Sequence, residues 1–357
     1  MTNTATIGIH DLMQKVIDLK GSDLHLVAGN PAIFRVDGEL RRVEMPIITP
    51  EQNKQLIFSL LDQEQQDYVK VNKEIDFGFQ FKEKSRFRVN VYHASGALAL
   101  AARLIPEKIR TVEELDLLPI LHDFTLFPQG LVLLTGPTGE GKSTTLAALI
   151  DEINHKRAEH IVTIEDPIEF IYEPDKSVIS QREINQDTHG WDIALRSALR
   201  EDPDVVLIGE MRDHETIASA ITIAETGHLV FATLHTNTAS ETMDRIIDVF
   251  PAAQQPQIRQ QLAGVIRAVV SQRLVPKKGG GRIAALEVMI ANSAVRNLIR
   301  ENKAFQIESI IQTASEQGMF LFEKHLSMLV QQGKITAETA RNRAFRPEEI
   351  DRLLTKE

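Results

Sequence analysis

Residues 131–144 read LVLLTGPTGEGKST, and this stretch decides the fold. Leu131–Thr135 is an apolar run of the kind a buried strand makes, and Ser143–Ile153 reads as a helix. Between them Gly136 and Gly141, with Lys142 and Ser143, satisfy the pattern G-x-x-x-x-G-K-[ST]. The glycines let backbone N–H groups turn inward around phosphate oxygens. The helix N-terminus adds partial positive charge. Lys142 is placed to reach the β- and γ-phosphates, and Ser143 to offer its hydroxyl to Mg²⁺. Gly136, Pro137, Thr138, Gly139, Glu140, Gly141, Lys142, Ser143 and Thr144 are therefore expected to hold ATP with Mg²⁺. Glu140 is the odd member, a carboxylate inside a loop built for a polyanion. The plain expectation is that its side chain points to solvent and only its backbone matters. The sharper one is that it weakens nucleotide binding or senses a neighbouring subunit.

Moving outward, HIVTIED (160–166), DVVLIGE (204–210) and HLVFATLHT (228–236) repeat the pattern of short apolar runs between helical stretches. Runs apolar on both faces are what buried strands of an α/β domain look like, so the fold class is α/β. Acids follow two of them. Glu165, Asp166 and Glu169 close the first run, and Glu210, with Arg212 and Asp213 behind it, closes the second. Acids directly after buried strands sit at the carboxyl edge of the sheet, where ligands bind. Ser143, Glu165, Asp166 and Glu210 are the candidate Mg²⁺ residues. His228 and His235 flank LVFATL, while His160, His189 and His214 have no partner that spacing can argue for. Spacing alone does not choose among these histidines.

The first hundred residues are written differently. Ile9, Leu12, Met13, Val16 and Ile17 recur at helical spacing, and Gly21 follows as a stop. Asp23–Val27 and Ile33–Val36 read as strands, Asp37-Gly38 is a hairpin signal, and Pro50 opens a helix to about Leu61. From Ile75 the period is two, which predicts an α+β domain on an antiparallel sheet. In residues 86–106, Ser95-Gly96 is a turn dipeptide. A hairpin centred there sets Phe87 opposite Leu104, Val89 opposite Ala102 and Val91 opposite Leu100. It also sets Arg88 directly opposite Arg103. Like charges so placed are unfavourable and make more sense around an anion, as a phosphate clamp of arginine-finger type. The expected organisation is 1–105, a linker at 106–118, an α/β core over 119–292, and a helical part over 293–357.

Composition narrows the function. Fifty acids stand against 40 bases in 357 residues, and the core segment 119–292 alone holds 24 acids against 15 bases. That disfavours a nucleic-acid or anionic-membrane surface, which needs clustered Lys and Arg. There is no cysteine, which excludes disulfides, thiolate zinc sites, Fe–S clusters and thiol catalysis, and a reducing cytosol is the natural compartment. No apolar run is long enough to span a membrane, and MTNTATIGIHDLM lacks the pattern of a signal peptide.

These motifs together resemble the secretion-superfamily ATPases, and among them the PilT-type retraction ATPases of type IV pili. The resemblance runs from SDLHL (22–26) into the helical tail. It is densest in GPTGEGKST, TIEDPIEF (163–170), LREDPDVVLIGEMRD (199–213) and ETGHLVFATLHTN (225–237). It implies a PAS-like N-terminal domain and a RecA-like P-loop domain, arranged as a hexamer with nucleotide between the domains of one subunit. It implies Glu169 as the general base, Glu210 as the Walker B carboxylate acting through Mg²⁺, and His228 and His235 near the γ-phosphate. Arg88 and Arg103 fall where the family keeps its arginine fingers. AVRNLIRE (294–301), with Ala294, Val295, Leu298 and Ile299 as one helical stripe, resembles the signature of retraction ATPases. Three positions depart from the family: Glu140 where Ser is usual, Tyr172 for a common His, and Gln186 for a common Arg.

The function so implied is an ATP-hydrolysing homohexameric motor for pilus retraction and twitching motility. It would be peripheral at the cytoplasmic face of the inner membrane, acting on a membrane platform protein beside a second pilus ATPase, with no nucleic acid. An assembly-type ATPase is the nearest alternative, though that branch typically carries a four-cysteine zinc site and a longer N-terminal region. An accessory, weakly hydrolysing subunit and a RecA-like nucleic-acid translocase are the others.

Overall fold

Ile9, Leu12, Met13 and Val16 bury one face of helix α1 (Ile9–Asp18), as their spacing predicts. In the computed structural model, residues 8–36, 38–82, 85–106 and 108–355 are described. Asp37 of the expected Asp37-Gly38 turn, and residues 1–7 of the amino-terminal stretch, lie outside them. The chain forms two units. One runs to Lys108 and includes Asp166–Ile171; the other comprises Ile109–Glu165 and Tyr172 onward.

In the first unit, β1 (Asp23–Val27), β2 (Ile33–Val36) and β3 (Glu39–Arg42) precede α2 (Pro50–Phe58) and α3 (Gln63–Asn72). β4 (Glu74–Phe81), β5 (Ser85–Ala94) and β6 (Ala97–Ile105) follow. The helix opened by Pro50 stops at Phe58, because Asp62 and Gln65 form a capping box that starts α3. Spacing did not reveal α3, whose sequence QEQQDYVKVN buries only Val69. The six strands form one antiparallel sheet in the order β3-β2-β1-β6-β5-β4.

The hairpin register is the expected one: Phe87 faces Leu104, Val89 faces Ala102, Val91 faces Leu100, and Arg88 faces Arg103. Ser95 and Gly96 both take positive φ, 51° and 81°. That is the two-residue turn whose twist matches paired strands.

In the second unit, α4 (Ile120–Phe124) leads to β7 (Gly130–Thr135), α5 (Lys142–Lys156), β8 (His160–Glu165) and β9 (Val178–Glu183). Next come α6 (Trp191–Ala198), β10 (Val205–Ile208), α7 (His214–Glu225) and β11 (Leu229–Leu234). α8 (Ala239–Asp248), α9 (Gln255–Val265), β12 (Ile266–Pro276) and β13 (Arg282–Ile290) complete the core. α10 (Ser293–Arg300), α11 (Ile307–Thr313), α12 (Phe322–Gln331), α13 (Ala337–Arg343) and α14 (Pro347–Thr355) end the chain. The sheet order is β13-β12-β7-β11-β10-β8-β9, parallel except for β13. β7, β10 and β11 are buried at every position, which is why they read as unbroken apolar runs.

Residues 109–118, inside the segment expected as a linker, pack within the second unit. Val112 and Leu117 are buried, and Asp116 accepts from Lys277 at 2.7 Å and Lys334 at 3.3 Å.

Candidate active site

Because β7, β8, β10 and β11 are parallel, their following loops emerge at one edge of the sheet. The phosphate loop follows β7. Gly136, Gly139 and Gly141 take φ of 138°, 81° and 80°, a region L side chains rarely adopt. A Cβ on Gly136 would lie 2.3 Å from the Gln272 carbonyl oxygen. The loop therefore needs glycine there for space as well as for torsion. Gly141 caps α5, and Lys142, its first residue, is buried and donates from Nζ to the Gly136 and Pro137 carbonyls at 2.6 and 3.0 Å.

His235 ties two loops together. Its Nε2 lies 2.9 Å from Glu210 Oε1, and its Nδ1 lies 3.5 Å from Thr138 Oγ1 in the phosphate loop. With Nε2–H donating to the carboxylate, Nδ1 is left to accept the Thr138 hydroxyl. Burial works to raise the Glu210 carboxyl, but Arg212 at 2.8 Å and then His235 more than offset it and hold it below the ordinary range. An ionised carboxylate beside the phosphate loop is what a Mg²⁺ or water role requires.

Glu165 is buried at the end of β8, where it accepts from Thr163 Oγ1 at 2.7 Å and lies 3.5 Å from Gln181 Nε2. Gln181 Oε1 in turn takes the Tyr172 backbone N–H at 3.1 Å, so the buried Tyr172 is keyed into the same chain of contacts. Among the described residues no three or more of His, Asp and Glu gather into a metal cage. The Ser143 hydroxyl and the Glu210 carboxylate are hard oxygen donors that suit Mg²⁺, an ion that usually shares its shell with substrate phosphates and water.

The structure does not bring His228 and His235 together. They sit at opposite ends of β11, with His228 before Leu229, which pairs with Gly130, and His235 after Leu234, which pairs with Thr135. Six strand residues separate them by roughly 20 Å. Within this unit His228 is therefore at the amino edge, away from the phosphate loop, with Nδ1 2.9 Å from the Ile223 carbonyl and 3.0 Å from Thr226 Oγ1.

Arg88 and Arg103 belong to the first unit, and there the expectation that an external anion explains them needs correcting. Asp23 on β1 pairs in register with Arg103 on one side and Arg35 on the other. It accepts from Arg103 Nε at 2.8 Å and lies 3.4 Å from Arg35. Asp76, diagonal to Arg88 across β4, takes its Nη2 at 2.6 Å. The row thus alternates in sign except at its centre, so internal carboxylates make the opposed arginines tolerable. Burial disfavours the Arg88 charge, but Asp76 first, then Glu169 and Asp166, raise its pKa above the ordinary value. Asp166 and Glu169 thus fall within the electrostatic reach of Arg88 in this unit.

Two details correct the reading of the sequence. Glu140 does not point freely to solvent: its carboxylate accepts the Leu274 backbone N–H of β12. In AVRNLIRE only Val295 and Ile299 are buried, Leu298 is half-buried and Ala294 is exposed. Arg296 does more than the apolar stripe. It donates to the carbonyls of Ala291, Ala263, Gly264 and Ile266 at 2.7–3.0 Å, clamping α10 to the end of α9. Gln272 was also missed. Its signal was a polar Ser-Gln-Arg interruption between the apolar runs Ala268–Val270 and Leu274–Val275.

A phosphate cradle beside an ionised carboxylate, at the edge of a parallel sheet, defines a P-loop ATPase. Its family is narrower still. The type II/IV secretion system protein family matches residues 3–342, and the chain belongs to it. It is 49% identical over 327 residues to the type IV pilus retraction ATPase PilT of Pseudomonas aeruginosa, covering 92% of this chain and 95% of that one. It is 47% identical over 339 residues to a twitching motility protein of Neisseria gonorrhoeae, covering 93% and 91%. The crystal structure of the pilus retraction motor PilT with bound ADP superposes with a TM-score of 0.90 at 44% identity, covering 97% of this chain and 99% of that one.

Proposed function

We propose that this protein is the retraction ATPase of a type IV pilus, a homohexamer that converts ATP hydrolysis into pilus depolymerisation and twitching motility. The observation that carries the hydrolytic part is the His235 bridge, which links Thr138 of the phosphate loop to Glu210 in the loop after β10. Relatedness along nearly the whole chain supports retraction as the direction.

In this reading the phosphate-loop N–H groups and Lys142 bind the β- and γ-phosphates, and Lys142 exchanges its loop carbonyls for phosphate oxygens. Ser143 and Glu210, with Glu165 and Asp166 as further acids, would hold Mg²⁺, which when bound would supply positive charge against the phosphates. Glu169 orients and deprotonates the attacking water. Arg88 and Arg103 stabilise the transferring group, and His228 would act at a neighbouring subunit's nucleotide. Among the described residues no helix is long and apolar enough to cross a membrane. In this reading work is delivered at the cytoplasmic face of the inner membrane to a platform protein, beside a second pilus ATPase.

Lys142→Ala should abolish ATP hydrolysis by the purified protein, and cells carrying it should be piliated but unable to twitch. Loss of pili on deletion would favour an assembly ATPase. Stimulation of ATPase activity by DNA would favour a translocase.

A further inference from the structure

The pairing of β12 with β7 ends at Ser271 opposite Thr135, yet β12 runs on to Pro276. The phosphate loop lies against this overhang and is attached to it at several points. Gly136 packs on the Gln272 carbonyl. Gln272 Nε2 donates to the Glu140 carbonyl at 2.7 Å, and its Oε1 accepts from Thr145 Oγ1 at 2.8 Å. The Glu140 carboxylate accepts the Leu274 N–H, the bond a neighbouring strand would otherwise supply. A carboxylate turned into the loop would repel a polyphosphate. Turned onto a strand N–H, the same group has its charge engaged by a donor and fixes the limb of the loop from which Gly141 and Lys142 follow.

We propose that Glu140 is a positioning residue for nucleotide binding, holding the phosphate loop in its anion-binding shape through the Leu274 N–H of the β12 overhang. This rests on the nucleotide reading above. A loop already ordered before its ligand arrives loses less freedom on binding, so the bond contributes to affinity more than to the chemical step.

The test uses the full chain, with ADP binding followed by calorimetry and ATP turnover resolved into kcat and KM. Glu140→Ala should weaken ADP binding and raise KM for ATP by roughly three- to tenfold, the size of one net hydrogen bond, while kcat changes far less. Glu140→Gln keeps an acceptor at the same reach and should recover most of the affinity. Glu140→Asp keeps the charge but is one methylene short, and should behave like Glu140→Ala. ADP binding by Glu140→Ala as tight as the parent's, or Gln failing where Asp succeeds, would overturn the proposal. A parent protein that binds no ADP would overturn the nucleotide reading and this inference with it.

Discussion

Replacing Glu287 with Gln should make the protein more stable, and increasingly so as pH rises. Glu287 lies on β13, is 4% exposed, and accepts the Ala239 N–H at 2.8 Å where α8 begins. Burial, reinforced by the like charge of Glu323, pushes its carboxyl up to about 7, against contributions from the Ala239 N–H and Arg346 that lower it. Below the ordinary value of 4.5 the group is protonated in folded and unfolded chains alike. Above that the unfolded chain releases the proton while the folded one retains it until about 7, so the stabilising contribution of the protonated form is lost as pH rises through this window. A displacement of that size corresponds to on the order of 3 kcal/mol. Glutamine is neutral throughout, and its carbonyl can still accept the Ala239 N–H. The melting temperature of Glu287→Gln minus that of the parent should therefore grow by roughly 5–10 °C between pH 4.5 and 8. Taking the difference removes titrations the two proteins share. A difference that stays flat across that range, or shrinks, would refute the reasoning.

The buried His325 should act in the opposite sense. Burial, with Lys334, pushes it down to about 4. As pH falls from 6.5 the unfolded chain takes up a proton that the folded one resists, and melting curves of His325→Gln should decline less on that acid limb than the parent's. Arg296→Ala should lower stability by roughly 2–4 kcal/mol, because four carbonyls lose a charged donor. Arg296→Lys should fail to rescue it, since an ammonium cannot span them as a guanidinium does. Gly136→Ala should eliminate ADP binding, measured by calorimetry, because the added methyl meets the Gln272 carbonyl.

What was legible in the sequence followed from local chemistry. A run of only four to six apolar residues is too short for a buried helix and suits a strand covered on both sides, so β7, β10 and β11 stood out. The β5–β6 register could be counted because a two-residue turn leaves no freedom in the pairing. β9 went unread, because most of this edge strand is exposed or half-buried and VISQRE carries little apolar signal. The acids that answer Arg88 and Arg103 lie 12 and 80 residues away along the chain, a distance only the sheet order closes. The two histidines around LVFATL look equivalent in sequence. Which end of β11 meets the phosphate loop is settled by the parallel pairing with β7. The Glu140 bond needs β12 to outrun its neighbour, and no local pattern encodes that.

The row Arg35–Asp23–Arg103–Arg88 with Asp76 has a kinetic side. In the proposed role neither arginine waits as a bare cation: Asp76 takes Arg88 at 2.6 Å and Asp23 takes Arg103 at 2.8 Å. A phosphoryl group recruiting Arg88 would have to evict Asp76, an exchange of one anion for another in place. Asp76 would then be a seat-holder, setting how readily the arginine changes hands.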